Sequence, residues 1–316
     1  MLEKLKIILN VIRGFVILEI YKLYMSNVDY FKYKKLSTFP HIILPSPYFF
    51  NISYGLYRAV KVCYNGKVSM FKDYIEHGLF YSESAALLLI ILKSKPIRRV
   101  FTFSNRRKRQ IENVLIKNGY YNIDVVAVGP MINRIPNFYS EQKLADIKRK
   151  LGRTLLVYPM HSWNTVSNEF SHDSFIDEIF RIKKDFDTVL VCLYYMDIRK
   201  GKHKYYEEKG FTVVCNGDRC DPHFMSRQRD LIELADMTMS NGIGTHIGYS
   251  IVLGRPHYYF KQEMQVLIAK EYSDSEKIEQ EYRLIFEKEV VDLFGEYSQQ
   301  ISKEQKEFVN YHWGLF

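Results

Sequence analysis

The chain has 316 residues, enough for two domains of ordinary size with a core each. Hydrophobic residues make up 47% of it, which excludes a disordered protein, and 45 Lys and Arg against 36 Asp and Glu leave a charge of +9 that favours phosphates, nucleotides or acidic lipid as partners. Its four cysteines show no Cys-x-x-Cys pair and no zinc spacing, and they suit a reducing cytoplasm.

Residues 5–24 are strongly apolar but carry Lys6, Arg13, Glu19 and Lys22. A charge near the centre of a spanning helix costs about 2.5–3.5 kcal/mol. No small-residue cleavage site follows, so a signal peptide does not fit either. The segment reads as an amphipathic helix on the cytoplasmic membrane face, supported by Lys32, Lys34 and Lys35, or else as a helix docked on the protein's own core.

From residue 40 short apolar runs alternate with amphipathic stretches, the pattern of βα units around a parallel sheet. The first half offers strands at His41–Pro45, Arg99–Phe103 and Asp124–Val128. It offers a helix over Tyr81–Leu92 capped by Ser82 or Ser84, and another that Asn105 caps and that ends before Gly119. Residues 129–137 are punctuated by Gly and Pro and read as a linker. A helix over Ser140–Leu151 opens the second half.

The second half continues with strands Thr154–Tyr158, Thr188–Tyr194, Phe211–Cys215, Met237–Ser240 and His257–Phe260. Between them lie helices Asp173–Lys184, Asp197–Lys209, Met225–Ala235 and Gly244–Leu253, and residues 273–316 read as closing helices that return to the first domain. The expected class is α/β, with two Rossmann-like doubly wound domains. Residues 1–35 form the N-terminal segment, 36–138 the first domain, and 139–316 the second domain with its C-terminal helices.

The most telling stretch is Ser240-Asn-Gly-Ile-Gly-Thr-His246, a turn that hands a strand to a helix N-terminus. Unpaired N–H groups and the helix dipole favour an anion at such a place. Gly242 and Gly244 permit a close approach, and the hydroxyls of Ser240 and Thr245 add donors. The spacing is neither a dinucleotide fingerprint nor a Walker loop. Gly254 suits a left-handed helix end and Pro256 bars continuation.

His161 and Ser162, with Trp163, Asn164 and Thr165, follow the first strand of the second domain, where a doubly wound sheet opens its crevice. His246 is placed to reach a donor or to pack against the sheet. Arg227 and Arg229 are placed to carry phosphate charge or to form a solvated helix start. In the first domain, His77 ordinarily titrates near 6.5 and suits removal of a hydroxyl proton, with Glu76 orienting it or serving as the base itself. The run from Arg98 to Arg109 reads as a solvated face or an anion site.

Two such halves, joined by a Gly/Pro linker and with the phosphate turn in the second, resemble the GT-B glycosyltransferases. Tyr158-Pro-Met-His-Ser162, the Ser240–His246 turn and Leu253-Gly-Arg-Pro256 look like segments of bacterial capsule and O-antigen biosynthesis proteins. The resemblance covers most of residues 40–316. It implies a nucleotide-sugar donor held by the second domain, through His161, Ser162, Arg227, Ser240, Asn241, Gly242, Gly244, Thr245 and His246. It implies a lipid-linked or oligosaccharide acceptor on the first domain beside His77 and Glu76. No metal, no cofactor and no nucleic acid are expected, and the enzyme would work peripherally on the inner face of the cell membrane. A CDP-alditol-dependent glycerol- or ribitol-phosphate transferase and a non-catalytic component of polysaccharide assembly are the alternatives. A His-Gly pair like His77-Gly78 occurs in glycerol-phosphate polymerases.

Overall fold

A computed structural model describes residues 2–38, 48–161, 166–268 and 274–314. The expected strand at 41–45 lies outside the described residues. The chain opens with α1 (Leu2–Met25), α2 (Tyr33–Leu36), α3 (Tyr48–Ile52) and α4 (Leu56–Cys63). Next come β1 (Asp73–Ile75), α5 (Ala86–Ser94), β2 (Arg99–Thr102), α6 (Asn105–Lys117) and β3 (Asp124–Ala127). The three strands form a parallel sheet in the order β1-β2-β3.

Strand side chains alternate between faces. Tyr74, Val100 and Val125 therefore share one face and cluster with Leu88, Ile91, Ile111 and Leu115 of α5 and α6. Ile75 and Phe101 share the other and cluster with Leu56 and Val60 of α4. Helices cover both faces, as a parallel sheet requires.

The second unit contains α7 (Glu141–Leu151), β4 (Thr154–Tyr158), β5 (Val166–Phe170), α8 (His172–Lys183), β6 (Thr188–Cys192), α9 (Tyr195–Arg199), α10 (His203–Glu207) and β7 (Thr212–Val214). It continues through α11 (Phe224–Leu234), β8 (Met237–Ser240), α12 (Thr245–Val252), β9 (His257–Tyr259) and β10 (Met264–Ile268), and closes with α13 (Asp274–Phe294) and α14 (Lys303–Trp313). Five strands form a parallel sheet in the order β7-β6-β4-β8-β9. The chain leaves β4 in one direction and returns on its other side at β8, so the crevice between the carboxyl ends of β4 and β8 is where such a sheet receives ligands.

Several boundaries moved for identifiable reasons. Gly201 adopts φ +81° and splits the expected Asp197–Lys209 helix into α9 and α10. α5 starts at Ala86, not Tyr81, because the Arg107 guanidinium holds the carbonyls of Ser82 and Ser84 at 3.2 and 2.7 Å. The caps of α6 and α8 are Ser104 and Ser171, one and two residues before the expected Asn105 and Asp173. The antiparallel pairing of β5 with β10 was not foreseen, since neither segment shows its distant partner locally.

α1 has two apolar faces. Leu18, Tyr21 and Met25 are buried in a cluster with Leu155, Val157 and Phe175 of the second unit. Leu9, Ile12, Val16, Ile20 and Leu23 fall within about 80° of one another at the 100° per residue of a helix, and all are more than half exposed. The reading as a helix docked on the protein's own core holds for the first of these faces, while the second is left exposed. α14 packs on α12 and on α6, joining the two units at the C-terminus as expected. Its Trp313 is fully buried, and a Cβ at Gly248 of α12 would stand 2.3 Å from the indole.

Candidate functional site

A cavity of ≈450 Å³ opens between the units, beside the carboxyl ends of β4 and β8. From the second unit it takes Tyr158, Met160, His161, Gly242, Gly244, Thr245 and His246; from the first, His77 and Gly78; from α13, Arg283. Of the residues expected in the second domain's site, His161, Gly242, Gly244, Thr245 and His246 line this cavity, and Arg227, Ser240 and Asn241 do not. Ser162 lies outside the described residues, as do Trp163, Asn164 and Thr165.

The β8 turn is rigid before any ligand arrives. The Ser240 hydroxyl donates to the Gly242 carbonyl at 3.0 Å and bonds the His257 ring at 3.1 Å. Asn241 is fully buried, accepting from the Met160 amide at 2.7 Å and donating to Gln262 at 2.9 Å. Ser240 and Asn241 therefore brace the turn and offer nothing to a ligand, which corrects their expected contact with the donor. The reason for the glycines also changes. Gly244 is an extended Ncap that any residue adopts, and Gly242 carries no left-handed φ. What matters is space: a Cβ at Gly242 would stand 2.4 Å from the Met160 sulfur and 2.9 Å from its Cβ, and one at Gly244 would stand 2.8 Å from the His246 ring. No side chain caps α12, whose positive end is left for an anion. Gly254 does adopt φ +72° just beyond that helix.

Three histidines line the cavity, each against a tyrosine ring, His77 and His246 stacked and His161 tilted by 40°. His77 lies 4.6 Å from Tyr54 with rings nearly parallel, His161 lies 4.6 Å from Tyr194, and His246 lies 4.8 Å from Tyr158. Burial pushes His77 down to about 4, helped by Arg219 and His161. Burial and then His161 push His246 to about 3, and burial lowers His161 as well. All three are neutral at pH 7 and carry a lone pair able to take a proton. The His246 Nε2 is buried without a partner, an unmet polar group of the kind a ligand satisfies. The Asn216 Oδ1 is a second.

Among the described lining residues there is no Asp or Glu, and Arg283 is the one formal cation. That composition reassigns Glu76. Its carboxylate is buried, accepts from Arg107 at 2.6 and 3.1 Å and from the Thr102 hydroxyl at 2.7 Å, and does not reach the cavity. Glu76 is a buried ion-pair partner, not the base. Arg227 is corrected in the same way. It is fully buried, pairs with Asp221 at 2.6 Å, and donates to the carbonyls of Asn216, Met25 and Val28 at 3.2, 2.8 and 3.1 Å. All three guanidinium nitrogens bond groups of the fold. Arg229 is likewise engaged, by Glu233 and the carbonyls of Asn133 and Ile135. The described residues contain no cluster of three or more His, Cys, Asp or Glu placed to hold a metal ion.

Sequence reasoning missed Arg283, Asn216 and Tyr54. Arg283 is one charge among many on α13 and gave no signal. Asn216-Gly217 directly after a strand was a readable turn signal at the right end of the sheet. Tyr54 holds φ +57°, unusual for a non-glycine residue, and Gly55 follows at φ +73°. A Cβ on Gly55 would stand 2.8 Å from the Pro222 carbonyl, so this turn presses the first unit against the second and sets Tyr54 under His77.

The sequence matches no protein-family model and no curated protein. Among solved structures, the chain is similar to HepE of Anabaena in complex with UDP-glucose, at 13% identity and a TM-score of 0.36 over 76% of this chain and 68% of that one. It is similar to the UDP-GlcNAc 2-epimerase of Methanocaldococcus jannaschii, at 10% identity and 0.39 over 75% and 68%. The wall teichoic acid polymerase TagF is similar at 13% identity and 0.36 over 69% and 53%. These likenesses are remote, and no residue's task is taken from them.

Proposed function

We propose that the protein is a glycosyltransferase that moves a sugar from a nucleotide-sugar donor to a lipid-linked or oligosaccharide acceptor in surface-polysaccharide synthesis. The observation that carries this reading is the cavity at the strand-order reversal, with the open N-terminus of α12 and the Arg283 guanidinium both facing it. An anion placed there meets a helix dipole worth about +0.5 charge and a full cation. The acceptor hydroxyl oxygen attacks the anomeric carbon, its proton passes to His77, and the bond from that carbon to the donor phosphate breaks. The charge left on the phosphate is balanced by Arg283 and the α12 amides. Among the described residues the lining offers imidazoles and no carboxylate, a poor donor set for hard cations such as magnesium, so the reaction is read as running on the protein's own charges.

The same reading places the protein on the inner face of the cell membrane. No helix among the described residues is long and apolar enough to cross one. The outward stripe of α1 supports a peripheral location instead, since the exposed Lys32, Lys34 and Lys35 lie at its C-terminal end and Lys35 sits 4.3 Å over the Tyr24 ring.

Thermal melting with UDP, CMP, CDP and GDP tests the donor reading. A nucleotide at a hundred times its Kd adds about 2.7 kcal/mol, a rise of several degrees. If no nucleotide raises the Tm, the donor assignment is wrong. If CDP and CMP alone do so, a CDP-alditol substrate replaces the nucleotide-sugar.

A further inference from the structure

A second cleft of ≈480 Å³ lies on the outer side of Tyr81, between α6, α13 and α14. Tyr81 lines both it and the first cavity, and its ring is 4.9 Å from Phe286, which also lines the second cleft. On α13, Arg283 lines the inner cavity while the neighbouring Tyr282 lines the outer cleft. The inner cavity lies low in the range of about 300–1,000 Å³ that single small ligands occupy. A donor fills it, and an acceptor chain has to continue outside.

We infer that this second cleft is an oligosaccharide subsite, which binds the sugar units of the acceptor behind the one that reacts. The assignment rests on the glycosyltransferase reading of the first cavity. Three observations point to a sugar. The Gln110 Oε1 is buried without a partner, in a side chain only 9% exposed. An acceptor atom can be satisfied only by a donor, which a hydroxyl supplies and a phosphate or carboxylate group does not. Next, Tyr282 and Tyr311 are 43% and 59% exposed, and Arg106 lies 5.1 Å over the Tyr311 ring. Flat, amphipathic faces of this kind cover the C–H face of a pyranose while their hydroxyls stay wet. Lastly, the charges are mixed: Arg106 and Arg109 stand with Glu83 and Glu289, and His312 lies 3.9 Å from Glu289. Planar donors and acceptors side by side suit vicinal hydroxyls, whereas an anion site would show one sign.

The test uses the full chain and an array of immobilised neutral and acidic oligosaccharides. The wild type is compared with Gln110→Leu and with Arg109→Ala/Tyr282→Ala, and calorimetric binding of the nucleotide found in the melting panel is measured on the same preparations. Both variants are expected to bind saccharide at least tenfold more weakly, with nucleotide affinity unchanged. Gln110→Leu removes an unmet polar atom and is expected to hold or raise the Tm, which separates a lost ligand from a lost fold. Variants that bind saccharides as the wild type does overturn the inference, and so does a wild type that binds nucleotide but no saccharide. Saccharide binding in this cleft without any nucleotide binding keeps the subsite and overturns the donor reading instead.

Discussion

Arg227 separates a structural reading from a ligand-binding one. It is completely buried, as is Asp221, and its donors reach Asp221 and three main-chain carbonyls, two of them on the segment after α1 and its last residue. Its guanidinium also lies 4.5 Å from the Phe138 ring. Arg227→Met keeps the bulk and removes the charge, leaving the Asp221 carboxylate buried with the His223 amide at 2.8 Å and the Tyr21 hydroxyl at 3.4 Å but without its paired guanidinium. Breaking one side of a buried pair costs about 3–5 kcal/mol. At about 2.1 cal/mol/K of unfolding entropy per residue, 1 kcal/mol shifts the Tm of a 316-residue chain by about 1.5 °C, so the Tm should fall by about 5–8 °C. The part that remains folded should bind nucleotide with the wild-type Kd. Adding Asp221→Asn should recover some of the loss, because the uncompensated charge is then gone. Thermal melting with calorimetric nucleotide binding checks both halves. A variant that melts within about 2 °C of the wild type but binds nucleotide tenfold more weakly would refute the reasoning and return Arg227 to the donor site.

Gly242→Val should push the Met160 side chain away, splay the β4 and β8 loops, and weaken nucleotide binding at least tenfold by calorimetry while far-ultraviolet circular dichroism stays unchanged. His77→Asn should lower turnover by about 10²–10⁴-fold with little change in donor Kd. In the wild type kcat/KM should be level through neutrality and decline only as pH falls toward about 4, where the buried ring takes its proton; a limb near 6.5 would show His77 to be solvated. Ile12→Asp/Val16→Asp should abolish co-sedimentation with anionic vesicles and leave the Tm within a few degrees, since both side chains face outward. Deleting residues 1–25 should instead destabilise the whole chain, because Tyr21 and Met25 are core residues.

The second sheet was legible because each of its strands is a short apolar run closed by a turn or a cap, and those signals are local. The helix N-terminus at residue 245 was legible for the same reason. What stayed hidden was everything decided by distant partners. Glu76 and Arg107 are far apart in the chain, and nothing in Glu76-His77-Gly78 shows that the carboxylate turns inward to a guanidinium while the imidazole turns outward to the cavity. A buried Arg227 and a solvated Arg227 look identical in sequence, since both are an arginine at the start of a helix. The glycines of the β8 turn were recognised as permitting a close approach, but the groups that approach are Met160 and His246, neighbours that the local sequence does not single out.

The cavity's composition also ranks its histidines. A base needs a lone pair at pH 7 and some affinity for a proton once the acceptor hydroxyl begins to lose it. Burial supplies the first to all three rings and weakens the second. His246 sits in the first turn of α12, where burial and then His161 push it down to about 3, while burial, Arg219 and His161 push His77 down to about 4. A phosphate bound at the turn would raise both through its negative charge, and His246 more strongly through proximity. Yet a ring spent on holding the donor cannot also serve the acceptor. His77 is on the first unit, its ring is stacked on Tyr54 beside a strained turn, and it lines the cavity together with the loops of the second unit. In the proposed reaction, separation of the two tasks between the units, more than proton affinity alone, favours His77 as the base and assigns His246 and Arg283 to the charge of the leaving phosphate.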